Sequence, residues 1–164
     1  MSDTKNRQTD ELNGIFRPAL LKDAKTIQAL VMVYADQKLM LPRSLNEIYE
    51  TIRHYTLYEE GGEILGVCGL SILWEDLAEV RALSVKPGHT GKGIGRQLAL
   101  KAIDEAKRLG APKVLTLTYV PDFFTKLGFT VVDKNELPHK IWGDCVRCHK
   151  FPDCDETSMI FHIG

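Results

Sequence analysis

Residues 86–98 read KPGHTGKGIGRQL, and the alternating glycines Gly91, Gly93 and Gly95 constrain the fold more than any other stretch. They follow an apolar run, LAEVRALSV, and open an amphipathic one. Glycine costs a helix about 1 kcal/mol relative to alanine, so three of them at a helix start need a reason. A strand ending at Val85, a turn through Pro87-Gly88 and a helix start would gather several backbone N–H groups around one point. The first N–H groups of a helix have no partner within it, and the helix dipole adds positive character there. Such a point suits a phosphate, and missing Cβ atoms let a bulky diphosphate approach the backbone. The same glycines would also serve a turn that needs positive φ.

Two familiar phosphate loops do not fit. No G-x-x-x-x-G-K-[ST] string occurs, which excludes the Walker loop. The dinucleotide fingerprint G-x-G-x-x-G belongs to a first βαβ unit. Here Gly93 and Gly95 lack the third glycine, and the loop follows a strand meander.

Around the loop, the pattern of apolar residues predicts an order of β, α, α, three meandering strands, α, β, α, β, β. IFRPAL is a first strand, and Asp23 is placed to cap a helix over 24–38 whose inner face carries Ile27, Leu30, Val31 and Tyr34. Ser44 with Glu47 forms a capping box for a short helix reaching about His54. HYTLYEE and ILGVCGLSILW form a hairpin around GGE, and WED turns the chain into LAEVRALSV. A helix over 93–109 stops at Gly110, KVLTLT is a strand, Pro121 starts a short helix, and FTVV and TSMIFHI are strands. This predicts an α/β (more strictly α+β) domain, a mixed sheet with helices on both faces. It occupies residues 13–164, behind a loose polar tail over 1–12.

Composition narrows the class. The chain has 164 residues, 44% apolar and 26% charged, with a net charge of −1 and the two signs interspersed. That length suffices for one cored domain, and the charge balance gives no footprint for nucleic acid. No apolar run is long enough to span a membrane, and the polar N-terminus lacks a signal peptide's apolar segment. A cytoplasmic location with reduced cysteines is the expectation.

EVRALSVKPGHTGKGIGRQL resembles the acetyl-CoA-binding segment of the GNAT N-acetyltransferase superfamily. The family loop is [QR]-x-x-G-x-[GA], and TGKGIG matches it except that Thr90 replaces Gln or Arg. FFTKLGF is similar to the family's second signature, F-Y-x-K-x-G-F. The resemblance spans roughly 15–164 and implies the GNAT fold, a mostly antiparallel twisted sheet. A narrower resemblance is to N-acetylglutamate synthases. It is carried by LMLPRS, LAEVRALSV and VLTLTYVPDFFTKLGFTVVDKNELP, with ILWEDLAEVR close to their short stand-alone members. The long members carry a kinase-like arginine-binding domain for which this sequence has no room, so feedback by that route is not expected.

The resemblance implies acetyl-CoA as cosubstrate and assigns candidate residues. For the cofactor these are Leu83, Ser84 and Val85 on the strand; His89, Thr90, Gly91, Lys92, Gly93, Ile94, Gly95 and Arg96 in the loop; and Phe123, Phe124 and Lys126 in the second signature. The strand supplies N–H groups for the pantetheine arm and the thioester carbonyl through Leu83 and Val85. A backbone N–H aimed at a developing oxyanion stabilises it by a few kcal/mol.

Acetyl transfer to an amine needs that amine neutral, and α-amino groups titrate near pH 8. A carboxylate can take the proton directly or through water. Glu79 is the candidate base, and strand alternation places it on one face with Arg81 and Leu83. The same pattern would suit a carboxylate that merely pairs with Arg81. The proton donor of many family members, a Tyr in F-Y-x-K, is replaced by Phe124, and the Ser that long synthases use falls at Val120. The adjacent Tyr119 is the candidate acid. Solvent could also serve, since a thiol leaves readily near its pKa of about 8.5.

Arg43 is the candidate grip on an α-carboxylate, because a guanidinium offers two parallel hydrogen bonds. A cation at a helix start otherwise opposes the dipole. Leu41, Arg81 and Glu156 complete the expected substrate set. The synthases' R-x-S near the last strand is matched by CDE, so glutamine stands beside glutamate as a substrate.

DCVRCHKFPDC offers Cys145, Cys148, Cys154 and His149 as a Cys₃His zinc alternative. CVRCH also matches a haem-attachment string, which needs export. Reduced cysteines without metal are the expectation, and Cys68, mid-strand, reads as core. Together these readings predict direct acetylation of a free amino acid, with glutamate first and arginine biosynthesis as the setting. The alternatives are another amine (protein lysine, N-terminus or polyamine) or an acetyl-CoA sensor without turnover. A homodimer is compatible with the sequence.

Overall fold

The computed structural model describes residues 12–137 and 156–164. The predicted strands pair into one seven-stranded sheet, in the order β1-β2-β3-β4-β5-β7-β6. Its strands are β1 (Ile15–Pro18), β2 (Tyr55–Glu60), β3 (Glu63–Trp74), β4 (Leu77–Val85), β5 (Lys113–Thr118), β6 (Thr130–Val131) and β7 (Thr157–His162). Neighbours run antiparallel except β4 and β5, which run parallel.

Helices α1 (Ala24–Ala35) and α2 (Leu45–Glu50) cover one face, and α3 (Ile94–Arg108) and α4 (Pro121–Leu127) the other. Ile27, Val31 and Ile48 pack with Leu57 and Val67 on the first face. Ile94, Leu98, Ala102 and Phe124 pack with Cys68, Leu70, Ala78 and Val80 on the second. Gly66 lets α3 sit this close, since a Cβ there would lie 2.8 Å from Ile94 Cγ2 and 2.9 Å from Leu98 Cδ1. Cys68 is core as expected, and burial pushes its thiol up to about 12.

Three local expectations change. Asp23 does not cap α1 with its side chain; its carboxylate instead accepts from Arg17 Nη1 at 2.7 Å, Arg17 Nη2 at 3.0 Å and the Leu20 N–H at 2.8 Å. A bidentate charge-assisted pair outweighs a neutral cap contact. The first helix ends at Ala35 rather than residue 38. Lys38 takes φ +59°, with Leu39 N–H bonded to Tyr34 O at 3.0 Å and Lys38 N–H to Ala35 O at 2.9 Å. That pair of bonds is a Schellman termination, here with lysine at the left-handed position.

The third change lies in β4. Val67 faces Ser84 but Gly69 faces Arg81, so β4 holds one residue more than β3 opposite it. That bulge has Ala82 at φ +54°, a conformation that costs a residue with a Cβ roughly 1–2 kcal/mol. Strand alternation reverses across it. Ala78 and Val80 pack on the α3 side, Ala82 packs with α1 and α2, and Leu83 and Val85 return to the α3 side. Leu83 therefore does not share the face of Glu79 and Arg81.

Candidate active site

β4 and β5 pair only at Ala78↔Val114 and Glu79↔Leu115. Beyond these two rungs the strands part, and a cavity of about 530 Å³ fills the gap. Val85 shows how the gap is wired. The Lys86 N–H donates to Leu65 O at 2.8 Å, and alternation in an antiparallel pair then turns the N–H and C=O of Val85 away from β3. They face the opening.

The glycine loop closes one end. Gly88, Gly91 and Gly93 have φ of +89°, +79° and +91°, and Gly93 is the residue from which α3 starts. Backbone that turns left-handed and then enters a helix of 15 residues presents successive free N–H groups on one side. His89, Thr90, Gly91, Gly93, Ile94, Gly95 and Arg96 line the cavity there. A diphosphate fits this end: the loop offers bare backbone donors, the dipole is positive, and no side chain acid lies among these seven residues.

The charged groups gather elsewhere in the same cavity. Glu79, only 8% exposed, accepts from Arg81 Nε at 3.0 Å. Arg43 precedes α2, whose start is fixed by Ser44 Oγ accepting from the Glu47 N–H at 3.1 Å. Gln28 Nε2 donates to Arg43 O at 3.3 Å and anchors the backbone there. Burial, followed by the positive charges of Arg81 and Arg43, holds the nearby His54 below the usual imidazole range.

On the β5 side, Thr118 Oγ1 accepts from the Val120 N–H at 2.9 Å and turns the chain into α4. Tyr119, Val120, Phe123 and Phe124 consequently border the cavity. Phe124 meets Phe123 edge-on at 5.0 Å and Phe129 at 5.2 Å between ring centres, so the ring standing where a tyrosine was expected is also core packing.

Of the residues singled out from sequence, Leu41, Arg43, Glu79, Arg81, Leu83, Val85, Tyr119 and Glu156 line this cavity with the loop and the two phenylalanines. Ser84, Lys92 and Lys126 do not line it. Ser84 is 2% exposed, with its hydroxyl turned toward Ala82 O at 3.3 Å and Met40 Sδ at 3.6 Å. The cysteine cluster at Cys145, Cys148, His149 and Cys154 lies outside the described residues. Tyr34, Met40 and Thr116 line the cavity without having been anticipated. Tyr34 donates its hydroxyl to Val85 O at 2.5 Å, and burial raises its phenol above the ordinary range. Its place on the apolar face of α1 had marked it only as core. Among the described residues no helix is long and apolar enough to cross a membrane.

Comparison with known proteins agrees with this geometry. Residues 21–129 match the acetyltransferase (GNAT) family. An uncharacterised N-acetyltransferase of Chlorobaculum tepidum is 37% identical over 144 residues, covering 88% of this chain and 93% of that protein. The amino-acid acetyltransferase of Mycobacterium tuberculosis is 30% identical over 138 residues, 82% and 79% of the two chains. Among solved structures, a Mycobacterium tuberculosis protein in complex with CoA and a further ligand superposes with a TM-score of 0.79 at 26% identity, over 92% of this chain and 99% of that one. N-acetylglutamate synthase from Neisseria gonorrhoeae, complexed with coenzyme A and N-acetyl-glutamate, shares the fold with a TM-score of 0.84 at 23% identity, over 92% of this chain and 35% of that one. Family, fold and cavity agree: the chain belongs to the GNAT family and is an acetyl-CoA-dependent N-acetyltransferase.

Proposed function

We propose that this enzyme acetylates the α-amino group of a free amino acid, with glutamate the first candidate and arginine biosynthesis its setting. One observation carries the reading. Arg43, Glu79 and the glycine loop border one cavity. A carboxylate clamp, a proton acceptor and an anion cradle are what joining an amino acid to an acyl-CoA requires. The naming of the Mycobacterium tuberculosis relative as an amino-acid acetyltransferase supports it.

Acetyl-CoA, when bound, supplies a thioester carbonyl that an amine can attack. The chain's residues do the rest. The N–H groups from Gly91 to Arg96 hold the diphosphate, with Lys92 and Lys126 available to the phosphates outside the cavity. Leu83 and Val85 present backbone to the pantetheine arm, while Ser84 turns its backbone to β3, and Phe123 and Phe124 wall the arm. Arg43 grips the α-carboxylate in a bidentate pair. Glu79 takes the proton that the amine sheds as the N–C bond forms and the C–S bond breaks, and Tyr119 returns a proton to the departing sulfur. Arg81, bonded to Glu79, fixes that carboxylate and flanks the substrate side chain with Leu41 and Glu156. Residues 13–164 act as one catalytic domain in the cytoplasm.

Glutamine is the second reading, and Glu156 favours it. A carboxylate on the cavity wall repels the γ-carboxylate of glutamate and accepts from an amide N–H.

The test is CoA release from acetyl-CoA across a panel of free amino acids, with Arg43→Ala as control. Release with glutamate that is lost in R43A through a raised KM supports the first reading. Release with glutamine alone moves the substrate, and silence across the panel overturns both.

A further inference from the structure

Tyr34 holds two parts of the cavity wall, Val85 and Leu39, from a single residue. Its hydroxyl donates to Val85 O at 2.5 Å, at the tip of β4 where the strand has left β5. Its backbone carbonyl accepts from the Leu39 N–H at 3.0 Å and from the Gln37 N–H at 3.1 Å. The Leu39 bond is the one that terminates α1 and sets the direction of the chain over 39–44. That segment carries Leu41 and Arg43 on the cavity wall. A second contact runs parallel to the first, from Ser84 Oγ to Met40 Sδ at 3.6 Å.

Val85 turns its N–H and C=O into the cofactor side of the gap, and the Leu39–Ser44 segment forms the acceptor side. The Tyr34 ring is the strut between them. The hydroxyl–carbonyl bond ties the ring to Val85, and the Schellman turn fixes the path of the chain that leaves α1. A shift of β4 on loading the cofactor is therefore passed through the phenol to the carbonyl that fixes residues 37–39.

We infer that Tyr34 is a positioning residue that couples acetyl-CoA binding to acceptor binding, through its hydroxyl on Val85 and its carbonyl on the turn leading to Arg43. The inference rests on the Proposed function only in placing the acceptor beside Arg43. Coupling between two sites is a ratio of affinities and is reciprocal, so it can be measured apart from either affinity alone.

The experiment is steady-state kinetics of wild type and Tyr34→Phe with acetyl-CoA and whichever amine turns over, from amino acids through polyamines to lysine peptides. The KM for that amine is extrapolated to zero and to saturating acetyl-CoA. The ratio should be about fivefold or more in wild type, within the usual range of coupling, and should fall to within about twofold of unity in Y34F. Phenylalanine keeps the ring, so a thermal midpoint close to wild type would exclude a folding defect. A ratio near unity in wild type, or one unchanged in Y34F, overturns the inference. A second measurement needs no variant and no acceptor: amide exchange over residues 36–44 of wild type with CoA alone. Slower exchange there supports the strut, and unchanged exchange overturns it. An acceptor that proves to be a polyamine or a peptide would end the amino-acid reading yet leave both tests readable.

Discussion

Arg81 Nε donates to Glu79 Oε2 across 3.0 Å, joining two side chains from the same face of β4 just before its bulge. This bond orients the guanidinium and the carboxylate against each other. Glu79→Gln should lower kcat by roughly 10²- to 10⁴-fold, the range for losing a general base, with little change in the KM for acetyl-CoA. Arg81→Met removes aim rather than the base and should cost roughly 10- to 100-fold. A steady-state comparison of the two variants checks both. Equal losses would make Arg81 as necessary to the chemistry as Glu79.

Gly93 starts α3 at φ +91°, where a Cβ costs about 1–2 kcal/mol. Gly93→Ala should lower the thermal midpoint and raise the KM for acetyl-CoA several-fold. The KM for the amine, at saturating acetyl-CoA, should stay nearly constant. Thermal unfolding and kinetics on the one variant separate the two effects.

Lys38 occupies the left-handed position that ends α1, at φ +59°, where glycine carries no penalty. Lys38→Gly should stabilise the fold by up to about 1 kcal/mol, measured by urea unfolding. No gain would mean that the flexibility added to the unfolded chain offsets the relief of strain.

The Asp23 carboxylate, held by Arg17, sits below the ordinary carboxylate range. A depressed folded pKa contributes stability above the unfolded value of about 3.9, and that stability is lost as pH falls through the folded value. Asp23→Asn should be less stable by about 2 kcal/mol at pH 7, the scale of a charge-assisted hydrogen bond lost from a part-buried pair, since Arg17 keeps Glu59 as a partner. The difference from wild type should shrink below about pH 4. Urea unfolding at pH 7, 5 and 3 checks the sign, and a constant difference would remove Asp23 as the titrating group.

Much of this site could be read in the chain because its signals are local. The glycine spacing, the Ser44 cap and the apolar runs each need only a few neighbouring residues, and all appear where expected. What could not be read depends on partners distant in sequence. The β4 bulge is set by register against β3, so alternation counted along β4 alone put Leu83 on the wrong face. Asp23 looked like a cap because Arg17, on another element, was invisible as its competitor. Tyr34 kept helical spacing with Ile27, Leu30 and Val31, and nothing along α1 shows that its hydroxyl reaches a strand 51 residues away.

The two-rung seam between β4 and β5 sets the vertex of the wedge at Glu79. Val85 lies six residues beyond Glu79 on β4, a lever arm of ~20 Å at ~3.3 Å per residue. A ~5° change in the opening of the wedge would then carry Val85 through ~2 Å, while Glu79, on the axis, scarcely moves. The cleft can thus widen and narrow around a long ligand while the aim of the carboxylate at its vertex stays the same.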